Sequence, residues 1–169
     1  ENGEGIDFST QANFEFDTGS IFVDLRMAYL LKHERQTSAV QPLCDDKGTT
    51  SEPEWRVNGQ VGWQAEKWTA NMTFRYLGET TDLVGGREDG QCNVDPNGRE
   101  RPVDSYLELG LRGTYAFAEN TELAVGVVNI TDEEPPFSEI AGGGWPFHDQ
   151  SLYDARGTRW YMNFKHTFF

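Results

Sequence analysis

Bulky apolar and polar side chains alternate through the last ten residues, Trp160-Tyr-Met-Asn-Phe-Lys-His-Thr-Phe-Phe169, up to an aromatic carboxy terminus. A period of two puts Trp160, Met162, Phe164 and Phe168 on one face of a strand and Tyr161, Asn163, Lys165 and Thr167 on the other. Six further segments carry the same signature. Ile6, Phe8, Thr10, Ala12, Phe14 and Phe16 alternate with Asp7, Ser9, Gln11, Asn13 and Glu15. Ile21 to Leu31 oppose Asp24, Arg26, Ala28 and Lys32, and Trp55 to Trp63 oppose Arg56, Asn58 and Gln60. Trp68, Ala70, Met72, Phe74 and Tyr76 back onto Thr69, Asn71, Thr73 and Arg75, and Leu107 to Phe117 onto Glu108, Arg112 and Thr114. The segment from Thr121 to Ile130 is blurred, because Ala124, Gly126 and Val128 occupy its polar side. The pattern predicts an all-β, antiparallel up-and-down meander of about seven strands, with no room for a helix.

Two kinds of β protein fit such a chain. A soluble secreted β-sandwich, such as a carbohydrate-binding module, hides its apolar faces between two sheets. A transmembrane barrel turns them to lipid. The loops favour the barrel. Asp17-Thr-Gly-Ser20, Gln64-Ala-Glu-Lys67 and Ala116–Asn120 are tight turns, whereas roughly 35–54, 80–104 and 131–156 are long and polar. Short turns at one end and long loops at the other are what outer-membrane barrels show. Phe14, Phe16, Phe22, Trp63, Trp68, Tyr115, Phe117 and Phe168 gather beside the short turns, and Trp55, Tyr76, Tyr106 and Trp160 at the opposite ends. Two aromatic bands match the girdles at two membrane–water boundaries. No apolar run approaches the ~20 residues of a spanning helix.

The polar faces indicate what the barrel encloses. Asp7, Glu15, Asp24, Arg26, Arg56, Asn71, Arg75, Glu108, Arg112 and Lys165 would point inward together. Burying such groups unpaired costs several kcal/mol each, so the interior must be wide and wet, or plugged. Seven strands cannot enclose such a lumen, and single-chain bacterial barrels use even numbers. Residues 1–169 are therefore expected to be one segment of a larger barrel. The balance of 14 Lys and Arg against 28 Asp and Glu, a net charge of −14, excludes nucleic acid as a partner.

Three stretches resemble a known family. Asn129-Ile-Thr-Asp-Glu-Glu-Pro-Pro136 is similar to the Asn-Leu-Phe-Asp-Lys-Glu-Pro-Pro segment that opens the last extracellular loop of TonB-dependent outer-membrane receptors. Tyr153-Asp-Ala-Arg-Gly-Thr-Arg159 resembles their Tyr-Asp-Pro-Arg-Gly-Arg entry into the final strand, and the strand ending at Phe168 resembles their Leu-Gly-Leu-Lys-Tyr-Thr-Phe ending. His166 replaces the usual aromatic, and Phe169 runs one residue past the expected end. The resemblance implies the C-terminal part of a 22-stranded transmembrane β-barrel in the outer membrane of a Gram-negative bacterium, its plug and TonB-contacting box lying in earlier sequence. It further implies uptake of a scarce nutrient, namely a ferric siderophore or other iron complex, haem, cobalamin or an oligosaccharide. The implied partners are lipid and lipopolysaccharide, TonB, and the barrel-assembly machinery, which reads Phe164, His166, Phe168 and Phe169.

The loops hold the candidate sites. Cys44 and Cys92 lie in polar loops on the same side of the meander, which favours a disulfide between them over buried thiols; a cysteine in earlier sequence is the competing partner. Asn93, Asp95, Asn97, Gly98 and Asp104 fit positions 1, 3, 5, 6 and 12 of a calcium loop, with Pro96 and Pro102 interrupting it. Asp-Pro-Asn-Gly is also ordinary turn chemistry, and the turn is the preferred reading. Structural calcium is the one cofactor considered. Trp145, Phe147, His148 and Tyr153, beside Gly142–Gly144, could offer a stacking surface to a small nutrient ligand, or could pack within the loop and against headgroups. His33, His148 and His166 lack metal-ligand spacing, and no nucleophile-elbow motif is present, so no enzyme is expected.

Overall fold

A computed structural model describes residues 1–36, 39–40, 42–49, 51–84, 92, 98–141 and 145–168. Its strands are β1 (Asn2–Phe16), β2 (Gly19–Arg35), β3 (Cys44–Asp45), β4 (Trp55–Gln64), β5 (Trp68–Leu77), β6 (Thr80–Val84), β7 (Arg99–Val103), β8 (Tyr106–Ala118), β9 (Thr121–Val128) and β10 (Arg159–His166). One sheet runs β1-β2-β4-β5-β8-β9-β10, each strand antiparallel to the next, with β3 attached to β2. The strands therefore follow one another in space as they do in sequence. β1 and β10 form its two edges. Among the described residues no second sheet covers a face of this one, which rules out the sandwich: β6 and β7 form a separate hairpin, with Thr81 of β6 bridging to Thr49.

The register shows why the alternation has to be read across the whole sheet. Phe8 pairs with Met27, Met27 with Val57, Val57 with Tyr76 and Tyr76 with Leu107. Further along, Met72 pairs with Leu111, Leu111 with Val127 and Val127 with Trp160. Directly paired residues share a face, so the apolar sets of all seven long strands fall on one side. A slip of one residue anywhere would interleave charges among them. The opposite face carries polar pairs at the same spacing. Gln11 donates to Asp24 across β1 and β2 at 2.9 Å, and Lys165 meets Glu122 across β9 and β10 at 3.7 Å.

The apolar face is exposed in this chain, and its large side chains include Phe8, Met72, Leu111, Trp160, Met162 and Phe164. Beside the short turns Phe16 stacks on Trp63, and Tyr115 meets Phe117 edge-on; at the other end Tyr29 stacks on Trp55. Two aromatics expected in these bands belong elsewhere. Phe22 lies on the polar face with its ring over Gly62, where even a Cβ would fall 2.3 Å from it. Tyr106, paired with Leu77, also faces the polar side and is completely buried there. The blurred polar side of β9 has a similar cause: the Tyr161 ring of β10 covers Gly126 and supplies the bulk that β9 lacks.

The long segment 80–104 is not a simple loop, because β6 and β7 form a hairpin within it. Thr80, Thr81, Leu83 and Val84 are residues that favour extended backbone, and their alternation is too short to stand out beside the longer strands. Met72 lies at the middle of the apolar face and Thr73 beside it on the polar face. In the full barrel in a bilayer, Met72→Arg should cost about 2–4 kcal/mol of unfolding free energy in denaturant titrations. Thr73→Arg should leave stability nearly unchanged.

Candidate functional site

The three long connections meet at one end of the sheet, and the last of them is held at its neck by the two segments that carry the family resemblance. Asn129 and Asp132 sit in the left-handed region, at φ 54° and 55°, which their short polar side chains tolerate. The Asn129 amide donates to the Glu133 carbonyl and accepts from the Glu133 N–H, both at 2.9 Å. From the far end of the loop, the Thr158 hydroxyl donates to the Asn129 carbonyl at 2.6 Å, and the Thr158 N–H donates to Asp132 Oδ1 at 2.8 Å. Gly157 has φ 64°, and a Cβ there would fall 2.6 Å from the same Asp132 oxygen, so glycine is favoured at that position.

Beyond the neck the loop folds over the polar face. Tyr153 packs edge-on against Tyr106, ring centroids 5.2 Å apart, and with Leu77 and Leu152 forms the small core of this end. Burial pushes the Tyr153 phenol up from its ordinary value. The Arg75 guanidinium, on the polar face of β5, donates to the Leu152 carbonyl, and the Ser51 hydroxyl donates to the Asp149 carboxylate. Burial acts to raise Asp149, but hydrogen bonds from Ser151 and Ser51 outweigh it and hold the carboxyl below its usual range.

The other two connections are fastened to this loop and to each other. A disulfide joins Cys44 to Cys92, Cα atoms 5.2 Å apart and 48 residues apart in sequence. In the chain-entropy account, closing a loop of that length contributes ~3–4 kcal/mol. The Thr81 N–H donates to the Gly48 carbonyl at 2.8 Å. Asp82 on β6 accepts from the Ser138 hydroxyl and the Glu139 N–H, and Glu139 in turn pairs with Arg99 at 2.6 Å and Arg101 at 3.3 Å on β7. The hydrogen bonds from Arg99 hold the Glu139 carboxyl below its ordinary value.

A groove of about 670 Å³ opens where the last loop meets the sheet, with Arg75, Trp145, His148, Tyr153 and Arg156 among its walls. Three of the four aromatic candidates thus converge. Trp145 is 80% exposed and free to stack, whereas Tyr153 is 7% exposed and serves as wall and core, not as an open stacking surface. Phe147 turns away, stacking on Phe137 at 5.4 Å with Arg101 lying over the Phe137 ring. Sequence reading missed the two guanidiniums. Arg75 counted there only as a lumen charge, and Arg156 only as part of a motif. Asp154 stands between Arg156, at 2.7 Å, and Arg159, at 2.8 Å; the hydrogen bonds from Arg156 hold its carboxyl far below its usual range. Indole face, imidazole and guanidinium together suit a planar or anionic small molecule.

Of the residues in the calcium spacing, only Gly98 and Asp104 fall among those described. Arg99–Val103 is an extended strand, which at about 3.3 Å per residue carries Asp104 roughly 20 Å from Gly98. Asn93, Asp95 and Asn97 lie outside the described residues, and no cluster of metal-binding side chains occurs among those described. Gly142–Gly144 and Phe169 are also outside them. The terminal strand ends at His166, one bond more following from the Thr167 N–H to the Asn120 carbonyl. Phe164 stands on the apolar face, and the Phe168 ring packs edge-on against His166 at 4.4 Å.

No family profile and no curated protein matches the chain in sequence. Solved structures do match. The ferric enterobactin receptor PfeA of Pseudomonas aeruginosa superposes with a TM-score of 0.66 at 19% identity, over 98% of this chain and 22% of that one. The siderophore receptor PirA of Acinetobacter baumannii gives 0.64 at 17% identity, with the same coverage. A PfeA mutant in complex with enterobactin gives 0.51 at 13% identity. The chain therefore has the fold of a barrel segment of such receptors, the fold that its tail motifs implied, and spans about a fifth of their length.

Glu139, Asp149 and Asp154 all have carboxyls lowered by hydrogen bonds made in the folded loops. Depressed values stabilise the cluster above the ordinary carboxylate range, and that stability is lost as pH falls through them. Amides of 138–141 and 145–156, corrected for intrinsic exchange, should keep their protection from pH 7 to about pH 5 and lose it below about pH 4. The β4–β5 ladder should stay protected throughout, and equal protection of the loops at pH 7 and pH 3 would contradict this.

Proposed function

We propose that residues 1–169 are the C-terminal segment of the barrel of an outer-membrane receptor that takes up a scarce nutrient, with energy coupled through TonB. One observation carries this reading: an unbroken apolar face and an opposed polar face belong to a sheet whose last loop folds inward and walls a groove. Such a sheet presents lipid on one side and a wet lumen on the other, and the groove stands where a solute from outside would meet that lumen. Two solved structures similar in fold are named as receptors for a ferric siderophore or a siderophore, so an iron–siderophore complex is the first ligand to test. In this chain Trp145 would stack on the ligand, Arg75, Arg156 and His148 would face its negative charge, and Tyr106 with Tyr153 would hold the wall. In this reading the bound molecule would be handed on unchanged. Phe164, His166 and Phe168 would serve the barrel-assembly machinery and, with the other apolar-face residues, membrane lipid; the loops would meet lipopolysaccharide.

Uptake of a radiolabelled ferric siderophore by iron-limited cells carrying the full-length protein tests this. Uptake should vanish without TonB, and Trp145→Ala should raise the half-saturating concentration about three- to tenfold, as expected for loss of one stacking contact. Undiminished uptake without TonB would overturn the reading.

A further inference from the structure

We infer that Asp82 is a positioning residue, which fixes the last loop so that Trp145 and His148 stand at the groove; the inference rests on the groove being the ligand site. Asp82 lies in β6, in a hairpin that needs no carboxylate to form, and it is 0% exposed. A buried carboxylate is costly unless its oxygens are used. One oxygen accepts from the Ser138 hydroxyl at 2.9 Å, and the other from the Glu139 N–H at 2.6 Å. The Ser138 hydroxyl also accepts from the Ala141 N–H at 3.0 Å, so carboxylate and serine together tie down the turn 138–141.

The same turn is gripped from the opposite strand. Arg101 is the register partner of Asp82, and Arg99 and Arg101 both take the Glu139 side chain. The hairpin thus holds one residue of the last loop twice, its backbone by an acceptor on β6 and its side chain by donors on β7. The held turn passes this on, because the Ser138 N–H donates to the Phe147 carbonyl at 2.7 Å. Phe147 is the residue between the groove-lining pair Pro146 and His148. From Asp82 to the groove wall the linkage is continuous, and it joins segments 57 residues apart in sequence.

Asp82→Asn preserves shape but gives one of the two positions an N–H₂ that faces a donor. In the full-length protein in bilayers, amides of 138–141 should exchange about tenfold faster or more in this variant. A nitroxide on Gln150→Cys, at the groove wall, should gain mobility, whereas β4 and β5 amides should be unchanged. Ser138→Ala removes one arm only and should shift both readouts in the same direction by less. If Asp82→Asn does not fold, an unchanged Ser138→Ala overturns the inference. Unchanged exchange at 138–141 in Asp82→Asn also overturns it. So does faster exchange with an unaltered nitroxide, since Asp82 would then stiffen its own turn without positioning the wall. Neither readout needs a ligand: failure of ferric enterobactin to bind the unaltered protein would count against the proposed function and leave the exchange result to decide this point.

Discussion

In hydrocarbon a backbone N–H or C=O has no water to fall back on, and each one left unpaired costs several kcal/mol. On the proposed reading, every other feature of this sheet follows from that constraint. Strands must pair along their whole length, which is why the β2–β4, β4–β5 and β5–β8 ladders run without interruption from the short turns to the loop end. Among the described residues the outer edges of β1 and β10 have no partner strand. Their backbone groups require further strands, and the sheet gains its meaning as a segment of a closed barrel.

Once pairing is fixed, the two faces have opposite tasks. The apolar face needs only to be apolar, and Phe, Met, Val and Ala all stand on it. The polar face is more exacting, because its charges must find partners or water. At the short-turn end it does so with cross-strand pairs such as Gln11 with Asp24. At the loop end it uses the last loop itself: Arg75 bonds to Leu152, and Tyr106 and Leu77 are covered by Tyr153. The fold of the loop is thereby set by the sheet beneath it, and the groove by both.

Much of this was legible in the sequence, for a physical reason. A membrane strand writes its environment at every second residue, so the seven long strands, their faces and the sorted loops could be read from alternation alone. Phe22 and Tyr106 resisted that reading because a bulky ring marks an interface or a core equally well, and only the register separates the two. Segment 80–104 hid a hairpin because five residues of alternation fall within the noise of loop composition. The candidate site was half legible. Trp145 and His148 stand out beside glycines, but Asp82 and Arg75 act through partners 57 and 77 residues away, and sequence shows long-range partners only by coincidence. The Asn129 and Thr158 segments were recognised as motifs, and their reason emerges as mutual hydrogen bonds at the neck.

The central claim is that one face of this sheet meets lipid and the other meets water. Nitroxides placed singly along β5 in the full-length protein, reconstituted in bilayers, report it most directly. Positions 70, 72 and 74 should collide preferentially with oxygen, and positions 71 and 73 with a water-soluble nickel chelate, giving a period of two along the strand. Chelate access on both sides, or on neither, would contradict the account.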